Sequence, residues 1–309
     1  MNKKLVALLS ALGANIIWGF ISIALRVLKP YGADQILFYR IFVSFIICWI
    51  LILVFNQKKI KQDLIEIKSK KGKDRNKLLG LIFLSGIFIT LNWFTFIYVV
   101  NNINLKSAAF AYMVCPLITA LGGFILLKEE LSKLKMIAVG VAIISILILA
   151  TGSLIEVSWS VLTASFYAFF LIIQRVINNI SRLNMLGFQL IIALILIIPL
   201  FFIYPQPIPK SISFWMDIVL IAVLFTIIPL LLSLYALDIL PSSTVGILIY
   251  INPVVAFSVA FLYFHESIKA NQLFAYLLLI FAVIIFNFKI LKDSFYKISK
   301  KRLKTEIIP

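Results

Sequence analysis

Ten stretches of this chain are each long and apolar enough to cross a lipid bilayer, and no soluble fold buries that many. A spanning helix needs about 20 predominantly apolar residues, rising ~1.5 Å each, to cross a hydrocarbon core of about 30 Å. The runs lie near residues 5–28, 35–55, 78–101, 105–127, 134–151, 155–177, 183–204, 214–238, 243–264 and 270–291. Gly32, Gly152, Pro205, Pro207, Pro209 and Pro241 fall in or beside the gaps, where turn residues belong. The first run follows Lys3 and Lys4 but is long and has no small-residue cleavage site before Arg26, so it reads as a retained helix. The expected fold is therefore all-α and integral to the membrane, because only helices and closed barrels satisfy their backbones in lipid.

A net charge of +17 would suggest a nucleic-acid partner in a soluble chain, but here its distribution describes topology. With the amino terminus inside, the cytoplasmic segments carry 22 Lys and Arg: Lys3 and Lys4, nine between Lys58 and Lys77, Lys128, Lys133, Lys135, Arg175, Arg182, and six from Lys292 to Lys304. The opposite face carries Lys29, Lys106, Lys210 and Lys269. Both termini are thus expected in the cytoplasm, and no nucleic acid is expected as a partner. The connection 56–77 reads as a solvated basic segment or, with Ile60, Leu64 and Ile67 on one helical face, as an interfacial helix. It and residues 292–304 are expected to meet anionic lipid.

Sliding the chain over itself reveals a repeat. At an offset of 137, Tyr98, Pro116, Phe124, Glu129 and Ala138 meet Tyr235, Pro253, Phe261, Glu266 and Ala275. At an offset of 149, Arg26, Val27, Leu37 and Leu51 meet Arg175, Val176, Leu186 and Leu200, and Trp18 meets Tyr167. The two copies are residues 5–151, which include the basic connection, and 155–291; a basic tail, 292–309, follows. Five spans per copy is an odd number, so the second copy enters the membrane from the opposite side. Such inverted repeats build transporters whose site lies near the midplane between the copies.

Ile17-Trp18-Gly19, the stretch from Ala33 to Arg40, Asn92-Trp93 with Asn101-Asn102, and Asn252-Pro253 together resemble the RarD-type permeases, in the EamA branch of the drug/metabolite transporter superfamily. The resemblance implies ten helices, a central cavity lined by helices 1, 3, 4, 6, 8 and 9, and export of small organic metabolites or drug-like solutes. Gln35, Tyr39 and Cys115 depart from residues common in relatives, so no titratable role is expected at these positions.

Polar and aromatic groups inside the spans are the candidate cavity wall: Asn15, Trp18, Arg40, Asn92, Trp93, Tyr112, Tyr167, Tyr250 and Asn252. Arg40, about five residues inside its span, reads either as an anchor for an anionic group or as a snorkelling or packing residue. Arg26 and Arg175, nearer span ends, read as snorkelling, and Trp159 and Trp215 as interface anchors. Pro116, Pro229 and Pro253 fall mid-span and are expected to kink their helices as hinges. Glu129 and Glu266 read as helix caps or as a gating ion pair.

One His and two Cys exclude a metal cluster, and no catalytic residue or cofactor is expected. The leading reading is a bacterial inner-membrane permease for a small amino-acid-like or amphipathic solute; the alternative is a lipid-carrier flippase or structural membrane partner. No acid sits at the centre of a span, so movement down the solute gradient is expected, with Asp238 and Glu266 as the positions for any proton coupling.

Overall fold

The computed structural model describes residues 3–177, 180–240 and 248–306, and the regular structure among them is helical. The helices are α1 (Lys3–Val27), α2 (Ala33–Phe55), α3 (Gln57–Ser69), α4 (Gly72–Tyr98, prolonged by a π turn, Val99–Ile103), α5 (Leu105–Leu127), α6 (Lys133–Gly152), α7 (Leu154–Val176) and α8 (Arg182–Ile203). Then come α9 (Ile212–Ala222), a π turn (Val223–Ile227), α10 (Ile228–Ile239), α11 (Ile251–Ser258, prolonged by a π turn, Val259–Tyr263) and α12 (Ala270–Glu306).

Among the described residues nine helices are long and apolar enough to span, α9 and α10 counting as one. A shorter apolar helix covers Ile251–Tyr263. This is the described part of the expected ninth run; its residues 243–247, and Pro241 before it, lie outside the described residues. The chain is an all-helical membrane protein, and large apolar side chains such as Phe55, Leu126, Ile195 and Phe202 face outward, as lipid requires. The last helix does not stop at the expected basic tail but continues to Glu306; Lys and Arg are good helix formers and do not interrupt it.

The connection 56–77 is more ordered than a solvated linker. α3 buries Ile60, packs Ile67 on the core and leaves Leu64 exposed, so only part of the expected apolar face is used. Asp63 is the reason: its Oδ2 accepts from Ser181 N–H at 3.1 Å and Asn184 Nδ2 at 2.6 Å, at the start of α8. A carboxylate at a helix amino terminus answers donors that have no partner within the helix.

Packing follows a definite pairing. α1 lies against α10 and α11, and α7 against α4 and α5; α4 meets α8, and α2 meets α9; α2 pairs with α8, α5 with α11 and α6 with α12. Exchanging each helix for its repeat counterpart returns the same set of pairs. Gly19 permits the approach of α1 to α11, because a Cβ there would stand 2.5 Å from Val255 Cβ.

The two copies also end their fourth spans alike. Lys128 and His265, equivalent at the offset of 137, are the non-glycine residues with positive φ, at 55° and 51°, among the described residues. Glu129 N–H then bonds back to Gly123 O at 3.2 Å, and Glu266 N–H to Ala260 O at 2.9 Å, again equivalent atoms. This bond to the carbonyl six residues back, across a left-handed residue, closes off the helix end and fixes where the following glutamate stands. Left-handed backbone costs a side chain roughly 1–2 kcal/mol that glycine does not incur. Lys128→Gly and His265→Gly are therefore each expected to stabilise the protein by about 1 kcal/mol in detergent unfolding, whereas Lys128→Val destabilises it.

Candidate functional site

The site begins with a proline. Pro229 has no N–H, so the carbonyl of Phe225, four residues earlier, loses its helical partner. The helix answers by widening into the π turn Val223–Ile227, and Trp18 of α1 donates its Nε1–H to Phe225 O at 3.1 Å. The next residue, Thr226, donates its hydroxyl to Ile221 O at 3.0 Å and accepts from Arg40 Nε and Nη2, both at 3.2 Å. Two groups from α1 and α2 thus converge on consecutive residues of one irregular turn. Such turns recur at functional sites because they free backbone groups inside a packed helix.

Arg40 is only 4% exposed, which rules out snorkelling. Its Cζ lies 5.1 Å from the ring centroid of Trp93, a cation–π distance. Among the described residues it makes no ion pair, and Nη1 has no hydrogen-bond partner.

Beside this group an aromatic run crosses three helices. Phe96, one turn along α4 from Trp93, meets Tyr112 of α5 with centroids 5.4 Å apart, and Tyr112 meets Tyr167 of α7 edge-on at 5.6 Å. Asn92 Nδ2 bonds Thr163 O at 3.0 Å, tying α4 to α7, and Asn15 Nδ2 bonds Ala11 O of its own helix at 2.9 Å. Tyr250 and Asn252 are half-buried on α11 and the turn before it. The structure therefore joins Trp18, Arg40 and Trp93 around the π turn and Tyr112 with Tyr167 beside it, and gives Asn15 and Asn92 helix-binding bonds.

Several expectations change. Pro253 does not sit mid-helix: α11 starts at Ile251, so the proline occupies a first turn, where its missing N–H has no intrahelical role. The carbonyl it would have served, Ile249 O, takes Asn252 N–H at 3.1 Å. Pro116 lies within α5 without breaking it. Trp215 is not a free interface anchor, since it packs edge-on against Tyr39 at 4.8 Å and donates to Pro209 O at 3.0 Å. Trp159 stacks on Tyr98 at 4.5 Å. Phe225 and Thr226 were not singled out in sequence; the available signal was a lone threonine three residues before a proline in an otherwise apolar span.

Arg26 and Arg175, at their span ends, each have an acidic partner that the snorkelling reading did not include. Arg26 Nη2 meets Glu266 Oε1 at 2.8 Å, and Arg175 Nη1 meets Glu129 Oε2 at 2.8 Å. The arginines are equivalent at offset 149 and the glutamates at offset 137, so these are the same ion pair built twice. Glu266 also caps the start of α5, accepting from Leu105 N–H at 2.9 Å and Lys106 N–H at 3.1 Å, while Lys106 Nζ donates to Ser267 O. Glu129 lies just past the other end of the same 23-residue helix, roughly 34 Å away at ~1.5 Å per residue. Residues 242 and 243, which would cap toward Glu129, lie outside the described residues, as does the side chain of Asp238. No group of His, Cys, Asp or Glu among the described residues has the makings of a metal site, and Cys48 and Cys115 are free and buried.

Comparison with known proteins gives consistent matches. The sequence profile of the EamA-like transporter family matches residues 5–151 and 154–288. The uncharacterised transporter YojE of Bacillus subtilis is 31% identical over 90% of this chain and 92% of its own. RarD of Streptomyces exfoliatus is 27% identical over 95% of this chain and 91% of its own, and RarD of Escherichia coli 27% identical over 90% and 92%. A solved protein structure, 15% identical, superposes with a TM-score of 0.58 over 91% of this chain and 96% of its own, a likeness of fold.

Thr226 is the group on which the arrangement turns. Thr226→Val keeps its shape but leaves two N–H donors of a buried guanidinium unanswered, a loss of about 1–3 kcal/mol. Thr226→Ser restores the hydroxyl and is expected to cost only what one buried methyl contributes, about 0.5–1.5 kcal/mol, in detergent unfolding.

Proposed function

Because the chain belongs to the EamA-like transporter family, and is a membrane transporter rather than an enzyme, we propose that it is a ten-span permease of the bacterial inner membrane working by alternating access. In this reading the two five-span copies are inverted with respect to one another, and both termini face the cytoplasm. The solute is a small organic metabolite or drug-like amphipath, moved outward past the Trp18, Arg40 and Trp93 group and the Tyr112–Tyr167 pair.

The observation that carries the reading is the duplicated ion pair. Equivalent residues of the two copies form Arg26–Glu266 at one end of α5 and Arg175–Glu129 at the other. Each pair ties the end of a copy's first span to the end of the other copy's fourth, so parting the copies at one end must break one pair and spare the other. The two are not equally buried. Arg26 and Glu266 are 21% and 13% exposed, against 58% and 41% for Arg175 and Glu129. Both pairs are closed at 2.8 Å, and in the positive-inside orientation the more buried one is the outer pair and the more exposed one the cytoplasmic pair. In this reading the basic segments 56–77 and 292–304 are on the cytoplasmic side and meet anionic lipid headgroups.

The inversion is tested where it leaves the ion pairs intact. Glu130 and Ser267 are equivalent, exposed, and each next to its copy's gating glutamate. With Cys48 and Cys115 replaced, Glu130→Cys is expected to react with an impermeant maleimide only from the cytoplasmic side and Ser267→Cys only from outside. Labelling of both from one side contradicts the inverted arrangement.

A further inference from the structure

We propose that Arg40 is the anion-binding group of the transport path, and that the solute carries a single carboxylate on an apolar or aromatic body. The inference rests on the permease reading above and names the solute class of that same site.

The first support is charge. Arg26 and Arg175 are each answered by a glutamate, whereas Arg40, at 4% exposure, meets no acid among the described residues. A buried guanidinium in low dielectric is unfavourable until an anion or a dense set of acceptors faces it. Thr226 Oγ1 is one neutral acceptor, and the Trp93 face supplies only a quadrupole.

The second support is geometry. Thr226 occupies Nε and one hydrogen of Nη2. The end-on edge of the guanidinium, Nη1 with the remaining Nη2 hydrogen, is the edge that matches the oxygens of a carboxylate as a fork, and Nη1 has no partner among the described residues.

The third support is the other copy, which separates binding from packing. Arg40 falls at offset 149 on Gln189, which is 3% exposed and donates Nε2 to Ser85 Oγ at 3.1 Å. That bond joins α8 to α4 as Arg40 to Thr226 joins α2 to the turn after α9. A neutral amide thus does the packing work at this depth, and the charge in the first copy serves something else. One guanidinium neutralises one carboxylate; a dianionic phosphate would leave surplus charge in a low-dielectric site. The aromatic run from Trp93 through Phe96 to Tyr112 and Tyr167 suits the apolar remainder of the solute.

The test uses the purified full-length protein with 3-phenylpropanoate, indole-3-acetate and octanoate, each against its primary amide, and with inorganic phosphate. Thermal unfolding and counterflow in proteoliposomes are the readouts. At least one acid is expected to raise the unfolding temperature and exchange across the membrane, while its amide and phosphate do neither. Arg40→Gln, the residue that the second copy already accommodates, is expected to abolish both effects. Arg40→Lys, which keeps the charge but loses the fork, is expected to weaken apparent affinity about tenfold and serves if the Gln variant does not fold. An amide as effective as its acid, an acid effect that survives Arg40→Gln, unchanged affinity in Arg40→Lys, or no response to any of the acids overturns the proposal. If the acids fail while residues 130 and 267 label from opposite sides, the permease reading stands and only the anionic solute falls; labelling from one side removes the permease reading itself.

Discussion

Hydrocarbon offers no hydrogen bonds, so every polar group that enters a span must be answered by the protein, and the interior of this molecule is organised by how that demand is met. Pro229 withholds one N–H, and the consequences run outward from there: the helix widens, Phe225 O is exposed, Trp18 covers it, and Thr226 is turned to receive Arg40. A helix defect that would be destabilising alone becomes the joint at which α1, α2 and the eighth span meet. The guanidinium that it positions is the group whose demand the described residues leave partly unmet.

Duplication has been kept at the ends of the helices and lost in the middle. The left-handed residue, the bond to the carbonyl six residues back, the glutamate and its arginine partner recur in both copies. At mid-depth, Arg40 and Thr226 face Gln189 and Ile89 as their counterparts, and the π turn at Val223–Ile227 corresponds to residues 86–90 of α4, which remain α-helical. Symmetric ends suit two exits that open in turn. An asymmetric middle suits one solute bound in one orientation.

The spans and the repeat were legible in the sequence because both are written locally or at fixed offsets: apolar length marks a helix, and matched residues mark a copy. The site was only half legible. Arg40, Trp18 and Trp93 stand out as polar or aromatic groups at depth, but their convergence depends on a π turn whose cause, Pro229, lies more than 130 residues from Trp93, and no local pattern announces it. Arg26 and Glu266 are 240 residues apart, so the pairing emerges only when both copies are folded together. Snorkelling was the natural reading for an arginine at a span end, and it left out the partner because the carboxylate comes from the facing helix end of the other copy. Pro253 misled for a related reason: its depth in the apolar run is central, yet the helix that holds it starts two residues earlier.

The central claim is that the two ion pairs open in alternation, and pulsed electron–electron resonance reads it most directly. Spin labels on cysteines beside each pair, one set at Val27 and Ser267 and the other at Val176 and Glu130, report the width of each end in lipid. The account predicts anticorrelated distances, the Val27–Ser267 end lengthening in the same population in which the Val176–Glu130 end shortens when the solute gradient is reversed. Two distances that stay fixed, or that lengthen together, would contradict it.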